Sequence, residues 1–287
     1  MISVVGIGNA ASSIAAKFFD IPQYDVYLLN SNVKEETKSE FKLKTYESPE
    51  EYELNTPDVK DFLKDAHKHI QVFVMGSSLS SIYSLGILQQ IKDRRIDVFY
   101  IKPDIELLTG TPRLVENAAY GILQEYARSG LFNSLTILCN EHIEKIHKEV
   151  NIKDYYNILN DTVFSCVHYL NYFEHTEPHI GNVSKPSTIN RVRTIALLEM
   201  KKLQENWLFE LDAERELCYY MCINNERLEK EIGLHKRLVD ILKTKPRNAF
   251  RKISYAIYET QLPDFGFCVA HTNAIQQQKT LDKFDQE

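Results

Sequence analysis

Cysteine is scarce in this sequence, and its arrangement excludes two kinds of cross-linked protein. The 287 residues contain five cysteines, an odd number, and no Cys-x-x-Cys pair. A disulfide framework would need an even set and a structural zinc site would need closely spaced pairs, so the pattern predicts neither disulfides nor a metal centre. Most of the cysteines lie in apolar runs instead, which fits a protein of the reducing cytoplasm.

Long apolar runs and clusters of basic residues are also missing. No apolar run is long enough to span a bilayer, and no charged segment precedes the first apolar run as it would in a signal peptide. The formal net charge is −6, and the basic residues between positions 236 and 251 are diluted by apolar ones at helical spacing. We therefore expect no membrane segment and no nucleic-acid partner. A Gly-x-Ser-x-Gly turn is absent too, so a hydrolase triad lacks its usual anchor.

The chain begins with a glycine turn. An apolar run at 2–5 is followed at once by Gly-Ile-Gly-Asn-Ala-Ala at 6–11, which is the order of a nucleotide-binding strand, turn and helix. Glycines let the backbone turn tightly and approach a phosphate, and a helix N-terminus favours an anion. Three interpretations stay open here: a phosphate-binding turn, a glycine turn without a ligand, and the dinucleotide turn of a Rossmann-type NAD-dependent enzyme.

Strand-like and helix-like segments alternate through the first half of the chain. Strands are predicted at 2–5, 25–29, 70–75, 97–101 and 134–138, and helices at 11–19, 58–69, 80–92 and 114–129. This order predicts an α/β fold with a doubly wound, mostly parallel sheet covered by helices on both faces. Ligands of such sheets bind at the carboxyl ends of the strands, so the polar turns there should converge on one crevice.

The second half predicts a long central helix and a smaller α/β unit. A largely buried helix is predicted at 152–173, a loop at 175–188 and a further helix at 189–204. Strands follow at 217–223, 252–258 and 266–272, with a helix at 228–242 and a hairpin between the last two strands. We divide the chain into an N-terminal doubly wound domain (1–150), a central linking helix (151–174) and a C-terminal α/β domain (175–287), with a frayed polar end from about Gln276.

The order of these motifs resembles the tubulin/FtsZ superfamily over most of the chain. Residues 6–10 are similar to that family's first nucleotide loop, and Asn30 matches its second loop. Asn140 ends a strand as in the family's Pro-Asn-Asp motif. Tyr156 and Asn160 have the spacing of the ring that stacks on guanine and of the polar side chain that reads its edge.

The loops that would hold the ribose and the phosphates resemble the family less closely. Glu106 and Arg113 lie in the match to the fifth loop, which serves the ribose and the base, and 55–59 resembles the third loop, which approaches the γ-phosphate. The family's fourth loop, a run of glycines and threonines, is replaced by Gly-Ser-Ser-Leu-Ser-Ser at 76–81. Serine hydroxyls and helix amides can hold a phosphate, but a side chain such as that of Leu79 cannot copy a glycine that needs positive φ.

The acidic residues that serve hydrolysis in the resembled family have no counterpart. There they lie on a loop after the central helix and enter the nucleotide site of the next subunit. This chain has no Asp or Glu between Glu177 and Glu199 and carries basic residues there. The resemblance therefore implies weak or lost hydrolysis. Asn190, Arg191 and Arg193 become candidates for the subunit interface, where an arginine could pair with a phosphate; solvated helix residues are the alternative.

The resemblance implies a self-assembling protein that binds GTP or GDP, with Mg²⁺ accompanying GTP, and that forms head-to-tail homopolymers. A nucleotide-free scaffold on the same fold is the main alternative, and a Rossmann-type NAD-binding enzyme is a third. The candidate nucleotide-binding residues are Gly6, Gly8, Asn9, Ala10, Asn30, Gly76, Ser77, Ser78, Ser80, Glu106, Arg113, Asn140, Tyr156 and Asn160.

Overall fold

The first half of the chain alternates strands with helices. The computed structural model describes residues 1–147, 150–246 and 251–277. The strands are β1 (Ile2–Ile7), β2 (Tyr24–Asn30), β3 (Glu40–Lys42), β4 (His69–Met75), β5 (Arg95–Lys102) and β6 (Ser134–Cys139). The helices are α1 (Asn9–Ala15), α2 (Pro49–Leu54), α3 (Ser81–Gln90), α4 (Thr111–Ser129) and α5 (Asn140–His147), with 3₁₀ turns at Ala16–Phe18 and Ile105–Leu107.

The second half begins with the longest of the described helices and continues mostly as strands. Helix α6 spans Tyr155–Glu174, and α7 (Asn225–Lys230) and α8 (Leu234–Thr244) follow later. The strands are β7 (Ile180–Asn182), β8 (Val192–Glu199), β9 (Gln204–Trp207), β10 (Glu216–Asn224), β11 (Lys252–Thr260) and β12 (Phe265–Thr272).

One continuous sheet runs through both halves. Its first part has the order β3-β2-β1-β4-β5-β6 with every pair parallel, which is the doubly wound order. Strand β8 joins β6 in parallel through two residue pairs, and the sheet continues as β12-β10-β11-β7 with β9 paired to β8. The predicted α/β class with a mostly parallel sheet is confirmed. The division into domains stays a prediction. The sheet itself crosses from the proposed N-terminal domain to the proposed C-terminal domain, where β6 pairs with β8.

Helices cover both faces of the sheet. Val72 of β4 packs with α3 and α4 on one face, and the next residue, Phe73, packs with α1 and α6 on the other, as the alternation of a strand requires. The ring of Phe173 near the end of α6 lies 4.7 Å from that of Tyr258 and 5.0 Å from that of Tyr220. Helix α6 therefore packs against strands of both halves. None of the described helices combines the length and the apolar character that crossing a membrane requires.

Two predicted helices of the sequence analysis are wrong. The segment at 189–204 forms β8 and β9, because β8 lies between β6 and β12 with side chains buried on both faces. The segment at 58–69 forms turns, and the neighbouring helix, α2, lies earlier in the chain. Ser48 caps α2 in a capping box with Glu51, a signal that the charged composition around it concealed.

The C-terminal unit differs from the prediction in three details. Gly233, with φ +77°, separates α7 from α8 where one helix was predicted. Strands β11 and β12 do not form a hairpin, because β10 lies between them. Gln276, where fraying was predicted to begin, is buried and its backbone amide donates to Gln124 Oε1; residues 278–287 lie outside the described residues.

Candidate functional site

A cavity of about 740 Å³ lies at the carboxyl end of the parallel strands, between α1 and α6. It is at the switch point of the sheet, where the chain leaves β1 and β4 in opposite directions. Eight predicted site residues line it: Asn9, Ala10, Asn30, Gly76, Ser77, Asn140, Tyr156 and Asn160. None of the described residues that line it is charged. The cavity therefore suits a ligand that is recognised by hydrogen bonds and by a flat surface.

Several lining residues were missed in the sequence analysis. Ser12 and Ser13 lie three and four residues after Asn9, on the same side of α1, and Asn32 follows the predicted second loop. The helical period could have identified the two serines. Asn32 and Pro103 lie in polar turns that were predicted to converge on this crevice, although neither was named as a site residue.

The lining of the cavity includes an exposed ring and two unpaired carboxamides. Tyr156 is 73% exposed and contacts the ring of Tyr155 edge to face at 5.2 Å. Asn160 lies one turn further along α6, and Asn140 begins α5. Neither asparagine side chain has a hydrogen-bond partner within the described residues, although each offers donors and an acceptor. These side chains can stack on a planar ring and pair with its polar edge.

The first two turns at the cavity are held together by asparagine side chains. Asn9 Oδ1 accepts from the amide of Ser31 at 3.1 Å and from its hydroxyl at 3.2 Å. Asn30 Oδ1 accepts from the amide of Asn32 at 3.0 Å. Both carboxamides therefore shape the turns, and their remaining capacity for a ligand lies mainly in their NH₂ groups.

The two glycines of the opening turn have different roles, and neither lines the cavity. A Cβ on Gly6 would lie 2.6 Å from Ser12 Cα, so this glycine lets α1 pack closely on β1. Gly8 has φ +90°, which favours glycine, and its amide donates to the Leu29 carbonyl at 2.7 Å.

The fourth turn, between β4 and α3, is closed on itself. The Ser80 hydroxyl lies against Gly8, where an added Cβ would be 2.2 Å from it, and it shares a 2.8 Å hydrogen bond with Ser78 Oγ. Ser77 has φ +63°, an uncommon conformation for a residue with a side chain. The amides of the first three residues of α3 donate to carbonyls three residues back, at 2.9 to 3.2 Å. These groups, which could otherwise hold an anion, already have partners.

Solved structures share this architecture. The chain superposes on Bacillus thuringiensis serovar israelensis TubZ, in a GTPγS-form protofilament, with TM-score 0.68 and 11% identity over 95% of this chain and 86% of that chain. An empty FtsZ dimer of M. jannaschii superposes with TM-score 0.67 and 11% identity over 97% of this chain and 92% of that chain. CetZ from Methanosaeta thermophila strain DSM 6194 superposes with TM-score 0.63 and 12% identity over 95% of this chain and 86% of that chain.

This chain has the tubulin/FtsZ fold. No protein-family model matches the sequence, and no curated protein matches it. The predicted resemblance is thus confirmed at the level of the fold, in a chain whose sequence has diverged far from these structures.

In this tubulin/FtsZ fold, Pro103 of the fifth-loop match lines the cavity, but the two candidate residues of that match, Glu106 and Arg113, do not. Glu106 is exposed on a 3₁₀ turn, and its amide donates to Asp104 Oδ1 at 2.9 Å. A guanidinium nitrogen of Arg113 lies 3.5 Å from the Ile105 carbonyl oxygen, so its side chain braces the same turn. Neither residue lines the cavity, and their proposed contact with a ribose or base stays a prediction.

The match to the third loop is also distant from the fourth turn. The Val59 amide donates to Gln90 Oε1, and Gln90 Nε2 donates to the Pro57 carbonyl, both at 2.9 Å. Gln90 is the last residue of α3, roughly 13 Å along the helix from Ser81 at the usual rise per residue. This loop is therefore fixed along the second half of α3, where Thr56 also packs on Gly86.

The three predicted interface residues make contacts within the chain. Asn190 is buried and donates to Glu216 Oε1 at 2.6 Å, and Arg191 donates to the Phe132 carbonyl at 2.8 Å. Arg193 donates to Thr136 Oγ1 at 2.7 Å and lies over the ring of Phe99. The alternative that the arginines are solvated helix residues is wrong, because Arg193 lies on β8 and both arginines line a second cavity of about 690 Å³ at the amino ends of the parallel strands.

One group of side chains near the first cavity has the composition of a metal site. Ligand atoms of Cys139, Glu141 and His142 lie within 4.8 Å of one another. Burial raises the pKa of the Cys139 thiol, and Glu141 forms an ion pair with Lys145. Both features oppose metal binding, because a thiol must lose its proton to become a strong ligand.

Proposed function

We propose that this chain is a self-assembling protein whose cavity binds a guanine nucleotide mainly through the base. The observation that carries the proposal is that Asn140, Tyr156 and Asn160 all line one uncharged cavity. Guanine offers a flat face together with the O6 acceptor and the N2 donor. An exposed tyrosine ring suits the face, and unpaired carboxamides suit both kinds of polar atom.

Self-assembly is supported by the compared proteins and by the position of an exposed loop. The TubZ structure is a protofilament, and the FtsZ structure is a dimer. In this chain the cavity lies at the carboxyl ends of the parallel strands, and the loop between β7 and β8 lies near their amino ends, where Lys185 is exposed and Ile189 is 63% exposed. Such opposed surfaces allow a head-to-tail contact, which does not close and so generates filaments. Lys185 and Ile189 replace the two arginines as its proposed centre.

Weak or lost hydrolysis is part of the proposal. No acidic residue occurs between Glu177 and Glu199. The last residue of α6, Glu174, pairs with Arg95 at 2.5 Å. A water at the next subunit's nucleotide would thus lack a carboxylate to polarise it from this segment. Mg²⁺, where it accompanies GTP, would depend on the phosphates for its ligands, since no acid lines the described cavity.

A nucleotide-free scaffold on the same fold is the second candidate. The contact between Ser80 and Gly8 favours it, because that contact occupies space beside the first nucleotide loop. The NAD-dependent enzyme receives no support from the three compared structures, which share the tubulin/FtsZ fold across both halves of the chain.

The proposal is tested by combining ligand identification with an assembly measurement. Purified protein is denatured, and released small molecules are identified by mass spectrometry. Sedimentation and negative-stain microscopy then follow the protein at rising concentration with and without GTP or GDP. We expect a guanine compound and filaments. Filaments without any guanine ligand would favour the scaffold, and a protein that stays monomeric throughout would refute self-assembly.

A further inference from the structure

We infer that the second cavity binds a small, singly charged organic carboxylate with a flat apolar body, held by the guanidinium of Arg193 and the hydroxyl of Tyr220. The cavity, of about 690 Å³, is large enough for such a ligand. It lies at the amino ends of the parallel strands, whereas the nucleotide site proposed above lies at their carboxyl ends. The inference therefore goes beyond the proposed function and does not rest on it.

The first feature that supports the inference is a guanidinium with unused donors. Arg193 lines the cavity, its Nε donates to Thr136 Oγ1 at 2.7 Å, and its guanidinium carbon lies 5.7 Å from the centre of the Phe99 ring. These two contacts hold the group in place before a ligand arrives. Within the described residues, its two Nη groups have no hydrogen-bond partner and its charge forms no ion pair. Such a pair of N–H groups matches the two oxygens of a carboxylate.

The second feature is that the acidic residues of this cavity already have partners or lie at its exposed rim. Asp97 pairs with Arg95 at 3.3 Å, and Arg95 also pairs with Glu174 at 2.5 Å. Three further side chains donate hydrogen bonds to Asp97: His69, Asn133 and Ser134. Burial would raise the pKa of this carboxyl, but its hydrogen bond with His69 and the two arginine charges hold that pKa well below its usual range.

The charges around Arg193 limit the ligand to one negative charge. The third carboxylate of the lining, Glu177, is exposed to solvent. Arg193 therefore has room for one anion of its own. A ligand with a second negative charge would be repelled by the ionised Asp97, whose charge Arg193 feels at longer range. This favours a monocarboxylate over a dianion such as a phosphate monoester.

The third feature is an aromatic wall with one unused hydroxyl. Phe99, Phe173 and Tyr220 line the cavity, and the rings of Phe173 and Tyr220 stack at 5.0 Å with 12° between their planes. The Tyr220 hydroxyl has no hydrogen-bond partner within the described residues. Burial chiefly raises its pKa, and the positive charge of Arg193 opposes this rise, so the hydroxyl keeps its proton and lies within electrostatic reach of the guanidinium. Together the two groups can donate to one carboxylate, while the rings contact its apolar body.

Calorimetric titration of the full chain with 2-naphthoate at neutral pH tests the inference, and 2-naphthamide serves as a neutral probe of the same shape. We expect the acid to bind at least roughly tenfold more tightly than the amide, because hydrogen bonds to a charged group contribute more than those to a neutral one. Excess GDP should leave the affinity for the acid unchanged. No binding of the acid at millimolar concentration, equal affinity for acid and amide, or displacement of the acid by GDP would overturn the inference. Failure of GDP itself to bind would refute only the proposed function.

Three variants show whether Arg193 and Tyr220 hold the carboxylate. Arg193→Gln removes the charge, and we expect it to bind the acid roughly tenfold or more weakly and the amide as before. Tyr220→Phe removes only the hydroxyl and should weaken binding of the acid about threefold. The matched control is Arg191→Gln, which should bind the acid as the wild type does, since Arg191 lines the same cavity but donates to the Phe132 and Asn133 carbonyls.

Thermal unfolding followed by circular dichroism verifies that the variants are folded. Wild-type affinity for the acid in folded Arg193→Gln protein, or an equal loss in Arg191→Gln, would overturn the inference. If Arg193→Gln does not fold, Tyr220→Phe and the comparison of acid with amide decide the question.

Discussion

Lys102 and Glu116 form an ion pair inside the core, with 2.7 Å between Lys102 Nζ and Glu116 Oε1. Glu116 also accepts a hydrogen bond from the hydroxyl of Tyr100, whose pKa burial and the neighbouring carboxylate raise well above its usual range. Gly76 packs directly on this group, since an added Cβ would lie 2.0 Å from Glu116 Oε2. Lys102 thus supports the fourth turn from within the core.

Removing one partner of this pair should destabilise the protein strongly. Lys102→Met leaves the Glu116 carboxylate buried without its cation, and we expect the free energy of unfolding to fall by about 3–5 kcal/mol in urea titrations. The matched control is Lys145→Met, which breaks the exposed pair with Glu141 and should cost at most about 1 kcal/mol. Equal losses in the two variants would contradict the structural role of Lys102.

Stability should decrease as the pH falls, in part through His271. Burial, and after it the positive charge of Arg193, lower the pKa of this histidine to about 3, against smaller opposing effects of the Asn190 backbone and Asp97. Its unfolded pKa is near 6.5, so between these values the unfolded chain binds a proton that the native protein does not. The stabilisation is complete above pH 6.5 and is lost as the pH falls toward 3.

His271→Gln tests this contribution by removing the titrating group. We expect the free energy of unfolding of the variant to fall less steeply than that of the wild type between pH 6.5 and about 3. Chemical denaturation at a series of pH values measures both slopes. Identical slopes would show that other groups account for the acid sensitivity.

Assembly should depend on the exposed loop between β7 and β8. Lys185→Glu and Ile189→Asp together remove a cation and an exposed apolar side chain, and we expect the critical concentration for sedimentation to rise at least roughly tenfold. Lys236→Glu makes the same charge change on the exposed face of α8 and should leave assembly unchanged. Wild-type assembly of the double variant would place the contact elsewhere.

GTP turnover should be near background even where the protein assembles. The segment between Glu177 and Glu199 offers no carboxylate to a water at a neighbouring nucleotide. A phosphate-release assay over a range of protein concentrations, with Mg²⁺ present, measures this. Robust Mg²⁺-dependent turnover would mean that an acid outside this segment serves the reaction.

The parallel half of the fold was predictable because its sequence signals are local. Each of the five longer strands before α6 is a short apolar run that ends at a polar turn, and their alternation with helices predicts a parallel sheet. The group formed by Asn140, Tyr156 and Asn160 came from the resemblance to a family, and the fold brings these residues to one cavity. Their spacing alone would not have distinguished a site from a buried helix face.

The remaining features depend on contacts that no local pattern contains. Strand β8 is buried on both faces, so its apolar residues lack the alternation that separates a strand from a buried helix. Ser80 meets Gly8 only because the fourth turn closes as a 3₁₀ turn against the first. The internal partners of Arg191 and Arg193 follow from the pairing of β6 with β8, which joins residues more than fifty positions apart.

The most direct test of base recognition is a calorimetric titration with GDP of the wild type, Tyr156→Ala and Tyr172→Ala. Tyr156 provides the exposed ring of the cavity, whereas Tyr172 is 44% exposed on the same helix and does not line it. Loss of a base-stacking ring costs about 1–3 kcal/mol, so we expect Tyr156→Ala to bind GDP roughly tenfold or more weakly and Tyr172→Ala to bind it as the wild type does. Absence of binding to the wild type, or equal binding to all three proteins, would contradict the account.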